Sequence, residues 1–449
     1  MTDLPRKAIV RTAKLSTVPI GFAARTALGF GKRLGGRPAE IVAAEMQART
    51  AEQLFQVLGE LKGGAMKFGQ ALSIFEAAFP EELAVPYRAM LTKLQDSAPP
   101  MPVASVHEVM AAELGPRWRE RFQSFDDHPA ASASIGQVHR GTWRDGRDVA
   151  VKIQYPGAGA ALMSDLRQLS RVAKVAAGWI PGLELGPILD ELRERMSEEL
   201  DYRLEATAQA RFAEAFADDP QFVVPAVIRG TEHIIVSDWL EGTPLSQIIV
   251  DGTTAQRDSA AQLYLEFLLA GPARARLLHA DPHPGNYRIT PDGRLGVIDF
   301  GAVNHLPLGM PPEIGMLLTL GLEGGAEAVL EGLREIGFVR RSIDIDPDRL
   351  LDYLEPFLAP LRTEEFTFSR AWLRGVFAHI NDPRQPTYAI GYKLNLPPDY
   401  HLIHRVWSGG IGVLSQLGGT VRGRAAIDAL LPGADLPLLE PLAPDPDDE

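Results

Sequence analysis

Asp281 and Asn286 stand five positions apart in the stretch LLHADPHPGN, and Asp299 follows thirteen residues beyond the asparagine. Two carboxylates and an amide oxygen in that order suit phosphoryl transfer, in which a protein mainly positions groups and neutralises charge. One carboxylate serves beside the attacking oxygen, and the other oxygens ligate Mg²⁺. Pro282 and Pro284 stiffen the loop, and Gly285 permits a tight backbone course ahead of the asparagine. His279 and His283 raise a second chemistry, histidine-ligated zinc. The two histidines stand four apart, but on a proline-stiffened loop they lack the helix that puts an H-x-x-x-H pair on one face.

The separation of Asp281 and Asn286 equals that of the Asp and Asn in the kinase catalytic-loop pattern H-R-D-x-x-x-x-N, with His279 in its first place. Asp299-Phe300-Gly301 reads as the metal-binding D-F-G triplet. Either fragment arises readily by chance, so the order in which they occur carries the reading. A cleft of this type needs three more parts upstream. Lys152 in VAVKIQY matches a strand lysine that reaches the α/β-phosphates of a nucleotide. Among Glu198, Glu199, Asp201 and Glu205, one acid is expected to pair with Lys152, and Glu198 and Glu205, seven apart, share a helix face. The loop over the phosphates has no G-x-G-x-x-G. In PAASASIGQVHRG the small residues Ala131, Ser132, Ala133, Ser134 and Gly136, with Ile135 and Gln137, still allow close backbone approach. Alanine adopts φ > 0 poorly, so this loop is expected to be stiffer than a glycine-rich one.

The elements that must position these residues follow from pattern. Residues 40–75 are rich in Ala, Glu, Gln and Leu and read as helix, and helix resumes after QDSAPPMP to about residue 120. Phe125 to Lys152 reads as a hairpin sheet around an Asp145-Gly146 turn. A charged helical stretch covers 188–217, two apolar β-type runs follow, and a short connector at 238–244 leads to a mostly helical region from Thr254. That region is interrupted by a hairpin at Pro291-Asp292-Gly293. The expected organisation is a basic segment over 1–39, a helical extension over 40–120, an N-lobe over 121–240, a helical C-lobe over 241–435 and an acidic disordered tail over 436–449. A cleft between the lobes is the natural ligand site.

Composition limits the function classes. The 449 residues carry 58 acidic against 45 basic side chains, a net charge of −13, and no cysteine. Disulfides and thiolate metal sites are excluded, and a cytoplasmic location is the economical expectation. No apolar run approaches the ~18 residues that span a bilayer, and the start lacks the apolar core of a secretory signal. Residues 1–39 hold eight basic side chains against the single acid Asp3. Such a leader is suited to lie peripherally on an anionic membrane surface, while the acidic remainder disfavours nucleic acid. Oligomeric state is not legible.

Together MKFGQALS, PAASASIGQVHRG, VAVKIQYPG, EELDYRLEA, HADPHPGN and VIDFG resemble the UbiB/AarF family of atypical kinase-like ATPases. The resemblance implies an α+β, bilobal kinase-like fold with an N-terminal helical extension and a helix-rich C-terminal lobe. It also implies use of ATP or ADP with Mg²⁺, and a link to lipid or isoprenoid-quinone metabolism with quinone precursors as partners. By position, the loop 130–137 replaces the glycine-rich loop, Lys152 is the nucleotide lysine, Glu205 is its helix partner, Asp281 is the catalytic aspartate, and Asn286 and Asp299 hold the metal. The family's K-x-G-Q motif falls on Lys67, Gly69 and Gln70, and its E-x-D motif on Glu199 and Asp201. The extension is expected to fold over the cleft, with Lys67 approaching the carboxylates of Glu199, Asp201, Asp281 or Asp299. Protein kinase activity is then weak or absent. The chain departs from many bacterial relatives in lacking a C-terminal hydrophobic segment, and from the motif pattern in lacking an arginine after the serine of ALSIFEAAFP. Two other readings remain: a small-molecule phosphotransferase resembling aminoglycoside or choline kinases, which lack KFGQ, and a nucleotide-binding scaffold without turnover.

Overall fold

The computed structural model describes residues 100–133, 135–159, 163, 200–382 and 384–433. The expectations for the basic segment, for residues 40–99 with Lys67, Gly69 and Gln70, for Ser134, Glu198 and Glu199, and for the acidic tail lie outside them. The chain divides into two compact units. Among the described residues, the first unit holds those from 100 to 202 with 231–235, and the second holds 203–230 and those from 236 onward.

The first unit begins with α1 (Val103–Leu114), which buries Val106, Met110 and Leu114 at helical spacing. Three strands follow as an antiparallel meander: β1 (Phe122–Ala133), β2 (Gly136–Trp143) and β3 (Asp148–Gln154). The β2–β3 turn falls at Asp145-Gly146, where Gly146 takes φ 91°, a conformation that glycine reaches without a Cβ penalty. On β3, Val149, Val151 and Ile153 alternate into the core while Ala150 and Lys152 face the other way, as a two-residue strand period requires. Rings reinforce the sheet: Trp118 meets Phe125 edge-on at 5.2 Å, and Phe122 meets Trp143 at 4.8 Å.

Helix α2 (Tyr202–Ala215) carries the chain into the second unit. The structure corrects the continuous helix expected over 188–217: residues 200 and 201 are turn and coil, and the helix begins at Tyr202 and ends at Ala215. Helix-prone composition conceals such a break, because Asp favours the non-helical position before a first turn. Next come β4 (Phe222–Val223), β5 (Val227–Gly230), β6 (Ile234–Asp238) and β7 (Thr243–Pro244), then α3 (Leu245–Asp251) and α4 (Thr254–Arg274). Helix α4 starts with a capping box, in which Thr253 Oγ1 accepts from Gln256 N–H and the Gln256 side chain accepts from Thr253 N–H. Strands β8 (Leu277–His279) and β11 (Val303–His305) pair antiparallel. Between them β9 (Tyr287–Ile289) and β10 (Leu295–Val297) form the expected hairpin within a sheet of order β4-β10-β9-β7.

The core of this unit is aromatic. Phe212, Phe216, Phe222, Tyr264, Phe267, Tyr287 and Phe300 are buried together with aliphatic residues of α4 and of the later helix His401–Leu417. Beyond β11 run α5 (Pro312–Glu323), α6 (Ala326–Ile336), α7 (Pro347–Leu358), strand β12 (Phe366–Thr367), α8 (Arg370–Asn381), α9 (Tyr388–Gly391), α10 (His401–Leu417), strand β13 (Thr420–Val421) and α11 (Gly423–Leu430). A second cluster around Leu320, Leu330, Leu350 and Ile390 holds the middle of that series. The arrangement is α+β, with short, mostly antiparallel sheets and helices gathered toward the C-terminal part. Among the described residues, no helix is long and apolar enough to cross a membrane.

Candidate functional site

In the second unit, the loop 280–286 is held at both ends by backbone pairing. Ala280 N–H donates to the Ala302 carbonyl at 2.9 Å, and Ile298 N–H donates to the Asn286 carbonyl at 3.0 Å. Asp281 and Asn286 therefore lie on a loop whose neighbour in space is the segment carrying Asp299. Tyr264 of α4 pins the middle of the loop, its hydroxyl donating to the Pro282 carbonyl at 3.0 Å. Burial, with the Asp281 charge adding to it, pushes the Tyr264 phenol well above its ordinary value, so it stays a neutral donor.

His279 does structural work on both ring nitrogens. Its Nε2 lies 2.6 Å from the Asp299 carbonyl, so that nitrogen carries the proton, and Nδ1 accepts from the Tyr287 hydroxyl at 3.0 Å. This is incompatible with zinc ligation by His279. The Nδ1 of His283 accepts from Gly285 N–H at 3.1 Å, and among the described residues no group of three or more His, Cys, Asp or Glu is placed to hold a metal by itself.

The carboxylates and the amide are oriented by neighbouring backbone. Asn286 Nδ2 donates to the Asp281 carbonyl at 3.2 Å, which turns Oδ1 of the amide the other way. Asp299 Oδ1 accepts from Gly301 N–H at 2.9 Å. One carboxylate and one amide oxygen are hard donors of the kind Mg²⁺ takes, and Mg²⁺ commonly completes its shell with water and phosphate oxygens. The donor set fits Mg²⁺ bound together with a phosphorylated ligand. Phe300, between Asp299 and Gly301, is buried against Phe212 of α2 at 5.0 Å and His279 at 5.5 Å. Glu205, seven residues before Phe212 on the same helix face, is buried too. A Cβ at Gly301 would sit 3.6 Å from its Oε2 and 3.2 Å from Asp299 Oδ1, so glycine leaves room for two carboxylates to flank this turn.

In the first unit, Lys152 stands opposite Val138 in the β2–β3 register, and Gly136 stands opposite Gln154. The Ala-rich stretch is the β1–β2 hairpin itself: Ala131 and Ser132 pair with Val138 and Gln137, and Ala133 pairs with Gly136. Ile135 is buried, and its carbonyl accepts from Tyr155 N–H at 2.9 Å, tying the hairpin tip to the end of β3. Gln137 pairs with Ile153 and so sends its side chain to the face opposite Lys152. There Met101 N–H donates to its Oε1 at 2.8 Å, and its Nε2 lies 2.7 Å from Nε2 of His139, whose Nδ1 meets the Asp126 carbonyl at 2.8 Å. The Gln137 side chain is thus spent on the fold. Asp201 lies in the coil just before α2.

Sequence reasoning missed Tyr264, Tyr287 and the bridging role of His279. Nothing in their local spacing signals it, because each acts across 18 or more residues or through a buried ring.

Comparison with known proteins supplies the family. A family model described as the ABC1 atypical kinase-like domain matches residues 93–325. The mitochondrial atypical kinase coq-8 of Caenorhabditis elegans is 32% identical over 325 residues, covering 70% of this chain and 42% of that protein. The mitochondrial atypical kinase COQ8B of Danio rerio is 30% identical over 312 residues, 68% of this chain and 49% of that protein. The chain spans about half the length of these two curated relatives. A solved structure, a complex of Rv3197 with erythromycin from Mycobacterium tuberculosis, is similar with a TM-score of 0.70 and 44% identity. It covers 89% of this chain and 100% of that one. Motifs, fold and relatives agree: this chain belongs to the ABC1 atypical kinase-like family, the UbiB family that includes the COQ8 kinases.

Proposed function

We propose that this protein binds ATP with Mg²⁺ and uses it as an atypical kinase or ATPase, in support of lipid or isoprenoid-quinone metabolism, with little or no protein kinase activity. The observation that carries the reading is the joining of two segments: Asp281 and Asn286 share one loop, where Asn286 Nδ2 donates to the Asp281 carbonyl, and His279, just before it, donates from Nε2 to the Asp299 carbonyl. In this reading Asp281 accepts the proton of the attacking hydroxyl or water, and the loop hydrogen bonds hold it in place. Asn286 Oδ1 and Asp299 would hold the metal, and Mg²⁺ when bound neutralises charge on the phosphate oxygens. Lys152 takes the α/β-phosphates and Glu205 orients it, while the β1–β2 hairpin over 130–137 covers the phosphates with backbone. Lys67, Gly69, Gln70, Glu199 and Asp201 restrict the site against protein substrates. A cytoplasmic protein, peripheral at the membrane through its basic segment, fits this proposal.

ATP turnover by purified protein, with and without anionic vesicles carrying a quinone-precursor mimic, tests it. The expected outcome is Mg²⁺-dependent turnover that Asp281→Asn lowers by about 10²-fold or more. Turnover unaffected by that change defeats the assignment. A second reading, a phosphotransferase acting on a small molecule, draws on one observation: the similar Mycobacterium tuberculosis structure is a complex with erythromycin. Transfer of labelled γ-phosphate to erythromycin supports it, and release of free phosphate alone supports the first.

A further inference from the structure

We infer that Tyr202 is a positioning residue for Lys152, its ring holding the lysine ammonium against the end of the β1–β2 hairpin. This rests on the nucleotide role proposed for Lys152. A strand fixes the backbone of a lysine but leaves a four-carbon chain with many rotamers, so some neighbour must set where the ammonium lies. Lys152 Nζ lies 5.2 Å from the centroid of the Tyr202 ring, inside the ~6 Å reach of a cation–π interaction.

The ring is held from several sides within the first unit. Tyr202 is only 1% exposed, and its backbone N–H donates to the Glu232 carbonyl at 3.1 Å. Two residues earlier, the Leu200 carbonyl accepts from Nε2 of Gln154 at 3.0 Å. Gln154 is two residues from Lys152 on β3, so the segment bearing the ring is fastened to the strand bearing the lysine. The ring also reaches the hairpin. A Cβ at Gly136 would lie 2.9 Å from the Tyr202 hydroxyl and 2.3 Å from the Ile153 carbonyl oxygen. The glycine that closes the Ala-rich hairpin is therefore a requirement of space, and Tyr202 fills part of the space it vacates. One side chain thus touches both parts expected to meet the phosphates, the lysine and the hairpin end.

The test compares Tyr202→Phe, which keeps the ring, with Tyr202→Leu, which removes it. Tyr202→Met, of similar length without a π face, serves if the leucine variant fails to fold. In protein whose lysines carry ¹³C-dimethyl labels, the Lys152 signal is assigned by its absence from Lys152→Arg. That signal is expected upfield of exposed lysines in wild type and Tyr202→Phe, and at the exposed position in Tyr202→Leu or Tyr202→Met. Binding of a fluorescent ATP analogue with Mg²⁺ should weaken about five- to tenfold in the ringless variants and less than about twofold in Tyr202→Phe. An unmoved Lys152 signal in a folded ringless variant overturns the inference, as does a moved signal with unchanged nucleotide affinity. A wild type that binds no nucleotide contradicts the proposed function instead, and the Lys152 signal still decides whether the ring holds the lysine.

Discussion

At the scale of single residues, His279 ties the segment carrying Asp299 to Tyr287, and it does so from burial. Its two nitrogens are satisfied by the Asp299 carbonyl and the Tyr287 hydroxyl, and its ring packs on Phe212, Phe267 and Phe300. Tyr287→Phe keeps the ring and deletes the donor, leaving His279 Nδ1 buried without its partner. A buried unsatisfied group costs about 1–3 kcal/mol. Urea unfolding should show a loss of that size, and ATP turnover should fall as His279, without the Tyr287 hydroxyl, holds the Asp299 carbonyl less firmly. An unchanged unfolding midpoint contradicts the network. That Asp281 and Asn286 share one loop was legible from sequence, because their spacing is short and Pro282 and Pro284 stiffen it. The histidine's role was not, since it depends on a carbonyl 20 residues ahead and a phenol 8 residues ahead.

At the scale of elements, the β1–β2–β3 meander shows how much a register adds to a motif. The lysine strand and the Asp145-Gly146 turn were legible from alternation and turn chemistry. Which residues of the Ala-rich stretch face Lys152 was not, because a shift of one residue reverses every side chain and only the pairing of Gln137 with Ile153 decides it. Strands β8 and β11, three residues each, are too short to leave a period, and the break before α2 sits in helix-prone sequence. Gly136→Ala tests the meander: its methyl must displace the Ile153 carbonyl or Tyr202, an overpacking that costs about 1–3 kcal/mol and weakens nucleotide binding. Calorimetric melting checks the first effect and titration with nucleotide the second. His139 supplies a pH signature for the same sheet. Burial pushes its imidazole below the ordinary value of 6.5. Below that pH the unfolded chain takes a proton that the folded chain resists, so stability falls with falling pH, and above it the residue contributes no slope. The drop in urea midpoint on going from pH 7 to pH 5 should be smaller in His139→Asn than in wild type. An equal drop in both removes His139 from the account.

At the scale of the whole molecule, the residues proposed for phosphoryl transfer fall in both units: Lys152 and the hairpin in one, Glu205, Asp281, Asn286 and Asp299 in the other. The order of these parts along the chain was readable because kinase-like motifs occur in sequence with helices and strands between them. The helical series after β11 carried no motif, so its role stayed closed to sequence reading. The basic residues over 1–39 give a test of where the molecule works. Each Lys or Arg near an anionic surface adds about 1 kcal/mol of attraction, screened by salt. Full-length protein should float with anionic liposomes at low salt, and a chain starting at Glu40 should float less. Equal recovery of the two rules the segment out as an anchor.

The central claim is that Asp299 and Asn286 hold Mg²⁺ with a nucleotide, and ligand-induced stabilisation tests it most directly. At about 100 times its Kd, a ligand that binds only the folded state adds about 2.7 kcal/mol. Wild type with ATP and Mg²⁺ is predicted to gain stabilisation of that order, to lose most of it in EDTA, and to lose it in Asp299→Asn even with Mg²⁺ present. An equal gain in wild type and Asp299→Asn, persisting in EDTA, contradicts the account.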